Sequence, residues 1–172
     1  MSAGPVVARP TPRTFTSARE AAEDIARLSQ RLPVLVRVYR DGTLERPIRE
    51  RVMVAVSRIN ACAGCTAVHE RWALRAGVTT AELEAIGLGD LARLDRRSRA
   101  AIVYASALAE TRFRAGLDDE LLTPVRDHLT SVELRSVEAI ARMITLANLI
   151  TNGLRTQGWW RTRTAAAFLS RR

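Results

Sequence analysis

The chain has 172 residues, 47% hydrophobic, 26% charged and only 5% aromatic, with a formal net charge of +9. That length suits one domain burying about 70% of its unfolded surface around an aliphatic core. No run approaches the ~20 apolar residues of a membrane-spanning helix, and Pro5, Pro10 and Pro12 interrupt the stretch where an export signal needs apolar continuity, so a cytoplasmic protein with no membrane partner is expected.

Residues 1–16, rich in Pro, Thr and Ser, read as a mobile arm ahead of a single domain over 17–172. Ser17 and Glu20 form a capping-box pattern that opens a helix through about Leu32. Pro33–Tyr39 is β-branched, but its helical surroundings predict a short helix stopping at Asp41-Gly42. Pro47 suits the first turn of the next helix, whose apolar face is Ile48, Val52, Ala55, Val56 and Ile59. A break at Asn60-Ala61 precedes a helix from Cys62 to about Gly77.

Thr79 and Glu82 cap a short helix to about Ile86, and Asp95 opens a long one with Phe113 inside it, closing at Gly116. Asp118 to His128 follows, with Pro124 as a bend. Thr130 and Glu133 cap the most apolar helix, expected to stop at Asn152-Gly153, and a last helix is expected over 156–169. No hairpin signature occurs, so the fold class is all-α with about seven to eight helices.

The charge is unevenly placed. Every basic side chain is Arg, and residues 1–16 and 155–172 carry seven of the 27 with no acid, leaving 20 basic against 18 acidic residues between them. The basic C-terminal helix expected over 155–172 also holds Trp159-Trp160, a pair able to stack on bases but commoner as packing. No nucleic-acid module accompanies it, so nucleic acid is not the expected partner.

The chemistry gathers between residues 50 and 69. The chain's two cysteines form Cys62-Ala63-Gly64-Cys65, with His69 four residues later and Glu50 twelve before. On one helix Cys62, Cys65 and His69 share a face, and Cys65 and His69 are i,i+4 neighbours within thiol–imidazole reach. Cys62 at a helix N-terminus meets free N–H groups that favour a thiolate, whereas the base favours Cys65. Glu50 orients His69 if the two helices pack antiparallel, which gives the nucleophile, base and orienter of covalent catalysis. The same spacing also describes a buried core stripe. Zinc held by Cys62, Cys65, His69 and Glu50 is disfavoured, because one continuous helix rarely converges tetrahedrally and no second Cys/His pair exists. His128 reads as a solvated residue near a helix C-terminus, and no cofactor is expected.

Arg49-Glu50-Arg51-Val52-Met53-Val54-Ala55-Val56, then Cys62-Ala63-Gly64-Cys65-Thr66-Ala67-Val68-His69-Glu70, resembles the core motif of the AhpD-like alkylhydroperoxidases of the carboxymuconolactone decarboxylase superfamily. That motif is a Glu, eleven residues, Cys-x-x-Cys, three residues and His. The likeness extends through roughly 45–110, and residues 144–155 are similar to a later family helix carrying an Asn.

The resemblance implies an all-α fold assembling as a trimer or hexamer. It implies reduction of a hydroperoxide, or of a partner peroxidase's disulfide, with an external dithiol or protein reductant. Cys62 and Cys65 would then be the redox pair, and His69 and Glu50 the proton relay. Some members place a His or an aromatic between the cysteines, where this chain has Ala63-Gly64. Two other classes stay open: a carboxymuconolactone decarboxylase-like enzyme that works without thiols, and a non-enzymatic protein that binds nucleic acid or a partner through the Arg/Trp tail.

Overall fold

Helix starts follow the capping chemistry closely. The Thr79 hydroxyl accepts from the Glu82 N–H at 3.2 Å while the Glu82 carboxylate accepts from the Thr79 N–H at 2.7 Å. Thr130 and Glu133 repeat the exchange at 3.3 and 2.8 Å. At Ser17 only half of the box forms. Its hydroxyl takes the Glu20 N–H, but the Glu20 carboxylate reaches past it to the backbone N–H and hydroxyl of Thr16.

The computed structural model describes residues 11–156, whose eight α-helices and absence of strands match the all-α expectation. They are α1 (Ala18–Ser29), α2 (Leu32–Arg40), α3 (Arg46–Ile59), α4 (Ala63–Arg75), α5 (Thr80–Leu88), α6 (Arg96–Glu110), α7 (Asp119–Arg126) and α8 (Ser131–Thr156), with a 3₁₀ turn at Leu91–Arg93. Among these, no helix is long and apolar enough to cross a membrane. Most of the final helix expected over 156–169, with Trp159-Trp160, lies outside the described residues, as do the first ten residues of the expected arm.

The central element is α3, packed against α4, α5, α6 and α8. Its middle, Val52 to Ser57, is buried all round. One core joins α3 to α2, α6 and α8 through Val38, Val52, Val56, Ala105, Val137, Ile140 and Ile144. A second joins it to α4 and α5 through Val54, Ala73, Val78, Leu83 and Ile102. Ile140 is fully buried, so Ile140→Ala is expected to lower unfolding stability by about 2–5 kcal/mol in a denaturant titration.

Two boundaries differ from expectation. The helix opened by Asp95 stops at Glu110, not Gly116, because Arg112 and Phe113 turn into the left-handed region at φ 55° and 59°. That turn delivers Arg112 to Glu20 at 3.0 Å and places the Phe113 ring under the Arg142 guanidinium, 4.3 Å away. Conversely, α8 runs through Asn152-Gly153 to Thr156. Asn152 does not cap it. Its side-chain N–H groups donate to the Asn60 and Arg13 carbonyls at 2.8 and 2.9 Å, bolting the last turn of α8 to the turn before Cys62.

Two glycines of α5 and its end bear on local packing. Gly89 ends α5 at φ 74°, a conformation an L side chain resists. At Gly87 a Cβ would lie 2.7 Å from Arg58 Nη1, the guanidinium that pairs with Glu70 at 2.6 Å. Gly87→Ala is therefore expected to push the flexible Arg58 guanidinium aside, and the ~1 kcal/mol helix-propensity gain should leave the thermal midpoint level or slightly raised.

Acid should loosen the bundle. Glu20 is held below its ordinary value chiefly by the Thr16 N–H, with Arg112 and Arg114 adding. Burial pulls Glu82 and Glu133 upward, but their Thr79 and Thr130 caps and their Arg51 and Arg97 partners outweigh it, leaving both lowered. Carboxylates depressed in the fold contribute stability that is complete above their unfolded values, near pH 4. It is lost as pH falls through the folded ones. The thermal midpoint is expected to stay flat from about pH 7 to 5 and to drop below about pH 4.

Candidate active site

Local sequence brings α3 and α4 into a tight antiparallel pair. The chain leaves α3 at Asn60, reverses at Ala61 with φ 51°, and re-enters helix at Ala63. Cys62 is the N-cap rather than the first helical residue; its N–H donates to the Ser57 carbonyl at 3.0 Å, and its own carbonyl accepts from the Thr66 N–H. Cys65 falls in the first turn of α4, one turn on. The two sulfurs are joined as a disulfide, with Cα atoms 5.3 Å apart, inside the ordinary range for such a bridge.

The two cysteines differ in access. Cys62 has no exposed surface, whereas Cys65 is half-buried between the exposed Gly64 and Val68. The antiparallel packing places Glu50, from the first turns of α3, against His69, from the second half of α4. Glu50 Oε2 lies 3.5 Å from His69 Nδ1, and both residues are buried. The structure therefore pairs the four residues two by two, Cys62 with Cys65 and Glu50 with His69, with Cys65 and His69 four residues apart on α4. The thiol–imidazole bond anticipated between Cys65 and His69 is not formed, because Cys65 Sγ is bonded to Cys62 and the imidazole Nδ1 faces Glu50.

Three neighbours complete the surroundings. Trp72 meets the His69 ring edge-on at 5.4 Å between centroids and is itself half-exposed. Arg49 lies 3.8 Å from the Glu50 carboxylate and stacks over the Tyr39 ring at 4.4 Å. Burial raises the Tyr39 hydroxyl above its ordinary value; Arg49 opposes this and Glu50 reinforces it. Trp72 was findable, since it extends the 62/65/69 face by one more turn. Arg49 and Tyr39 meet only through tertiary packing, and no spacing rule pairs them.

A cavity of about 630 Å³ borders the Cys62–Cys65 turn through Ala63 and Thr66. It lies on another face of α4, lined by Arg58, Ile59, Thr66, Glu70, Ile102 and Glu110 among others, and none of Glu50, Cys62, Cys65 and His69 lines it. His128 sits just after α7 and lines a smaller cavity with Arg96 and Arg99. Among the described residues no three His, Cys, Asp or Glu side chains gather as a metal site.

No curated protein matches the chain. One family model does, described as the carboxymuconolactone decarboxylase family, over residues 34–107. That segment runs from α2 into α6 and contains Glu50, the disulfide and His69. Over these residues the chain is similar to the carboxymuconolactone decarboxylase family, the family that includes the AhpD-like proteins.

Proposed function

We propose that the protein is a thiol-dependent hydroperoxidase or disulfide reductase, with Cys62 and Cys65 as the redox pair and His69 and Glu50 as the proton relay. The observation that carries this reading is the Cys62–Cys65 disulfide at the start of α4, with the buried His69–Glu50 contact one turn further along the same helix. A dithiol, a base and an orienting carboxylate are the parts that covalent thiol chemistry requires.

In the reduced protein, His69 takes the Cys65 proton, and the first-turn N–H groups of α4 favour the resulting thiolate, lowering its pKa from about 8.5. Cys65 sulfur attacks the terminal peroxide oxygen. The O–O bond breaks, the alkoxide takes a proton from His69 and leaves as alcohol, and Cys65 becomes a sulfenic acid. Cys62 sulfur then attacks Cys65 sulfur, water leaves, and the disulfide forms. An external dithiol or protein reductant restores both thiols. Half-burial of Cys65 against full burial of Cys62 favours Cys65 as the attacking sulfur. A reducing cytoplasm is the compartment such a cycle needs.

The thiol order has a direct test. In Cys62→Ser, one equivalent of peroxide should leave a sulfenate on Cys65 that a dimedone-type reagent captures. A sulfenate captured on Cys62 in Cys65→Ser, and none on Cys65, would reverse the order.

Homo-oligomeric assembly as a trimer or hexamer belongs to the same proposal. Leu32, Val36 and Tyr39 make an exposed apolar stripe on α2, and Val68 and Trp72 another on α4 beside His69. Light scattering on the purified chain should give a mass of three or six protomers, and a monomer would remove this part.

The 630 Å³ cavity, which none of the four site residues lines, favours a second reading, a thiol-independent reaction of the decarboxylase type. A Cys62→Ser/Cys65→Ser protein that keeps full turnover would support it.

A further inference from the structure

The Cys62–Cys65 turn is open on one side, because the position before Cys65 is glycine and both Ala63 and Gly64 are exposed. The group that approaches this opening comes from the far end of the chain. A Cβ on Gly64 would lie 3.9 Å from Arg155 Nη1, and Arg155 itself is exposed. The helix turn that carries it is anchored: Asn152, three residues earlier on α8, donates to the Asn60 carbonyl at 2.8 Å. The last turn of α8 is thereby tied to the turn that carries Cys62. Arg155 is also the first of five Arg in residues 155–172, a stretch without one acid.

We infer that Arg155 is a specificity-determining residue for the reductant of the disulfide, and that this reductant is a thiol carrying a carboxylate close to its sulfur. The inference rests on the redox reading of Cys62 and Cys65. The disulfide state is the one a reductant meets, and its reachable sulfur is that of half-buried Cys65, beside Gly64. A guanidinium at that rim pairs with a carboxylate and draws anionic thiols toward the sulfur over neutral ones.

The step balances with two thiol groups. The first thiolate attacks Cys65 Sγ, the Cys62–Cys65 bond breaks, and its electron pair leaves on Cys62 sulfur, which takes a proton. A mixed disulfide joins the reductant to Cys65. The second thiolate attacks the reductant sulfur of that bond, forming the reductant's own disulfide and releasing Cys65 as thiolate. The protein gains two electrons and the two thiols lose them.

The test compares 3-mercaptopropionate with its neutral amide, 3-mercaptopropionamide, as excess reductants of the oxidised full-length protein, following free protein thiols by quenched alkylation and mass. The readout is the ratio of the two rate constants, which cancels the intrinsic difference between the reagents when proteins are compared. Arg155→Gln is expected to lower that ratio about two- to fivefold at low salt, the scale of one exposed charge pair. Arg155→Lys should keep most of it, and added salt should shrink the difference. Arg19→Gln, an exposed Arg on α1, should leave the ratio unchanged. An unchanged ratio in Arg155→Gln overturns the inference while leaving the redox reading intact. If neither monothiol opens the disulfide in the unmodified protein while excess dithiothreitol does, the inference falls and the redox reading stands; if dithiothreitol fails as well, both fall.

Discussion

Cys65→Ser is expected to cut thiol-dependent peroxide consumption by about three orders of magnitude or more, while the protein remains folded. A hydroxyl at this site lacks the acidity and polarisability that make a thiolate nucleophilic at neutral pH. The substitution is nearly isosteric, and Cys65 is only half-buried, so packing should change little. Cys62→Ser should behave differently. Its sulfur has no exposed surface, and its part is to close the disulfide, so the first turnover should proceed and the second should stall. A pre-steady-state burst of one equivalent in Cys62→Ser, against no burst in Cys65→Ser, separates the two roles. Equal residual turnover in both variants would point to chemistry outside the dithiol.

His69→Gln carries the next largest expected effect, about 10²- to 10⁴-fold on the peroxide step. The imidazole is the one base within a helical turn of Cys65, and its Nδ1 is engaged by the Glu50 carboxylate at 3.5 Å. Glutamine preserves polarity and approximate length but cannot accept and return a proton. The loss should fall on kcat and kcat/KM together, because peroxide binding does not depend on this group. Raising the pH should recover part of the rate in His69→Gln by forming thiolate without a base. Glu50→Gln should show a smaller loss and a changed pH profile, because it acts by holding His69 in place. A His69→Gln protein with an unaltered rate and pH profile would reduce His69 to a core residue packed against Trp72.

Much of this arrangement was legible in the residues. Capping boxes at Thr79 and Thr130 located two helix starts closely, because that chemistry is local to four residues. The helix expected at Pro33–Tyr39 against its β-branched composition, from the helical elements on either side, forms over Leu32–Arg40. Of the four residues named by their spacing, the α3–α4 pair sets Glu50 against His69, and the turn between the helices joins Cys62 to Cys65.

What could not be read depended on distant partners. The end of α6 is decided by Arg112 reaching Glu20, almost a hundred residues earlier, and by Phe113 settling under Arg142. Asn152-Gly153 looks like a helix stop, yet Asn152 is occupied by the Asn60 and Arg13 carbonyls and the helix continues. That continuation is what carries Arg155 to Gly64. The Arg49–Tyr39 stack beside Glu50 likewise arises only when α2 folds against α3.

The redox assignment is tested most directly by titrating the fully reduced protein with a hydroperoxide under anaerobic conditions. Free thiols, protein mass and remaining peroxide are counted after each addition. One equivalent of peroxide should disappear per chain, both thiols should vanish together, and the product should be the intramolecular Cys62–Cys65 disulfide, reversed by a dithiol. Two thiols that stay alkylatable with the peroxide unconsumed would contradict it.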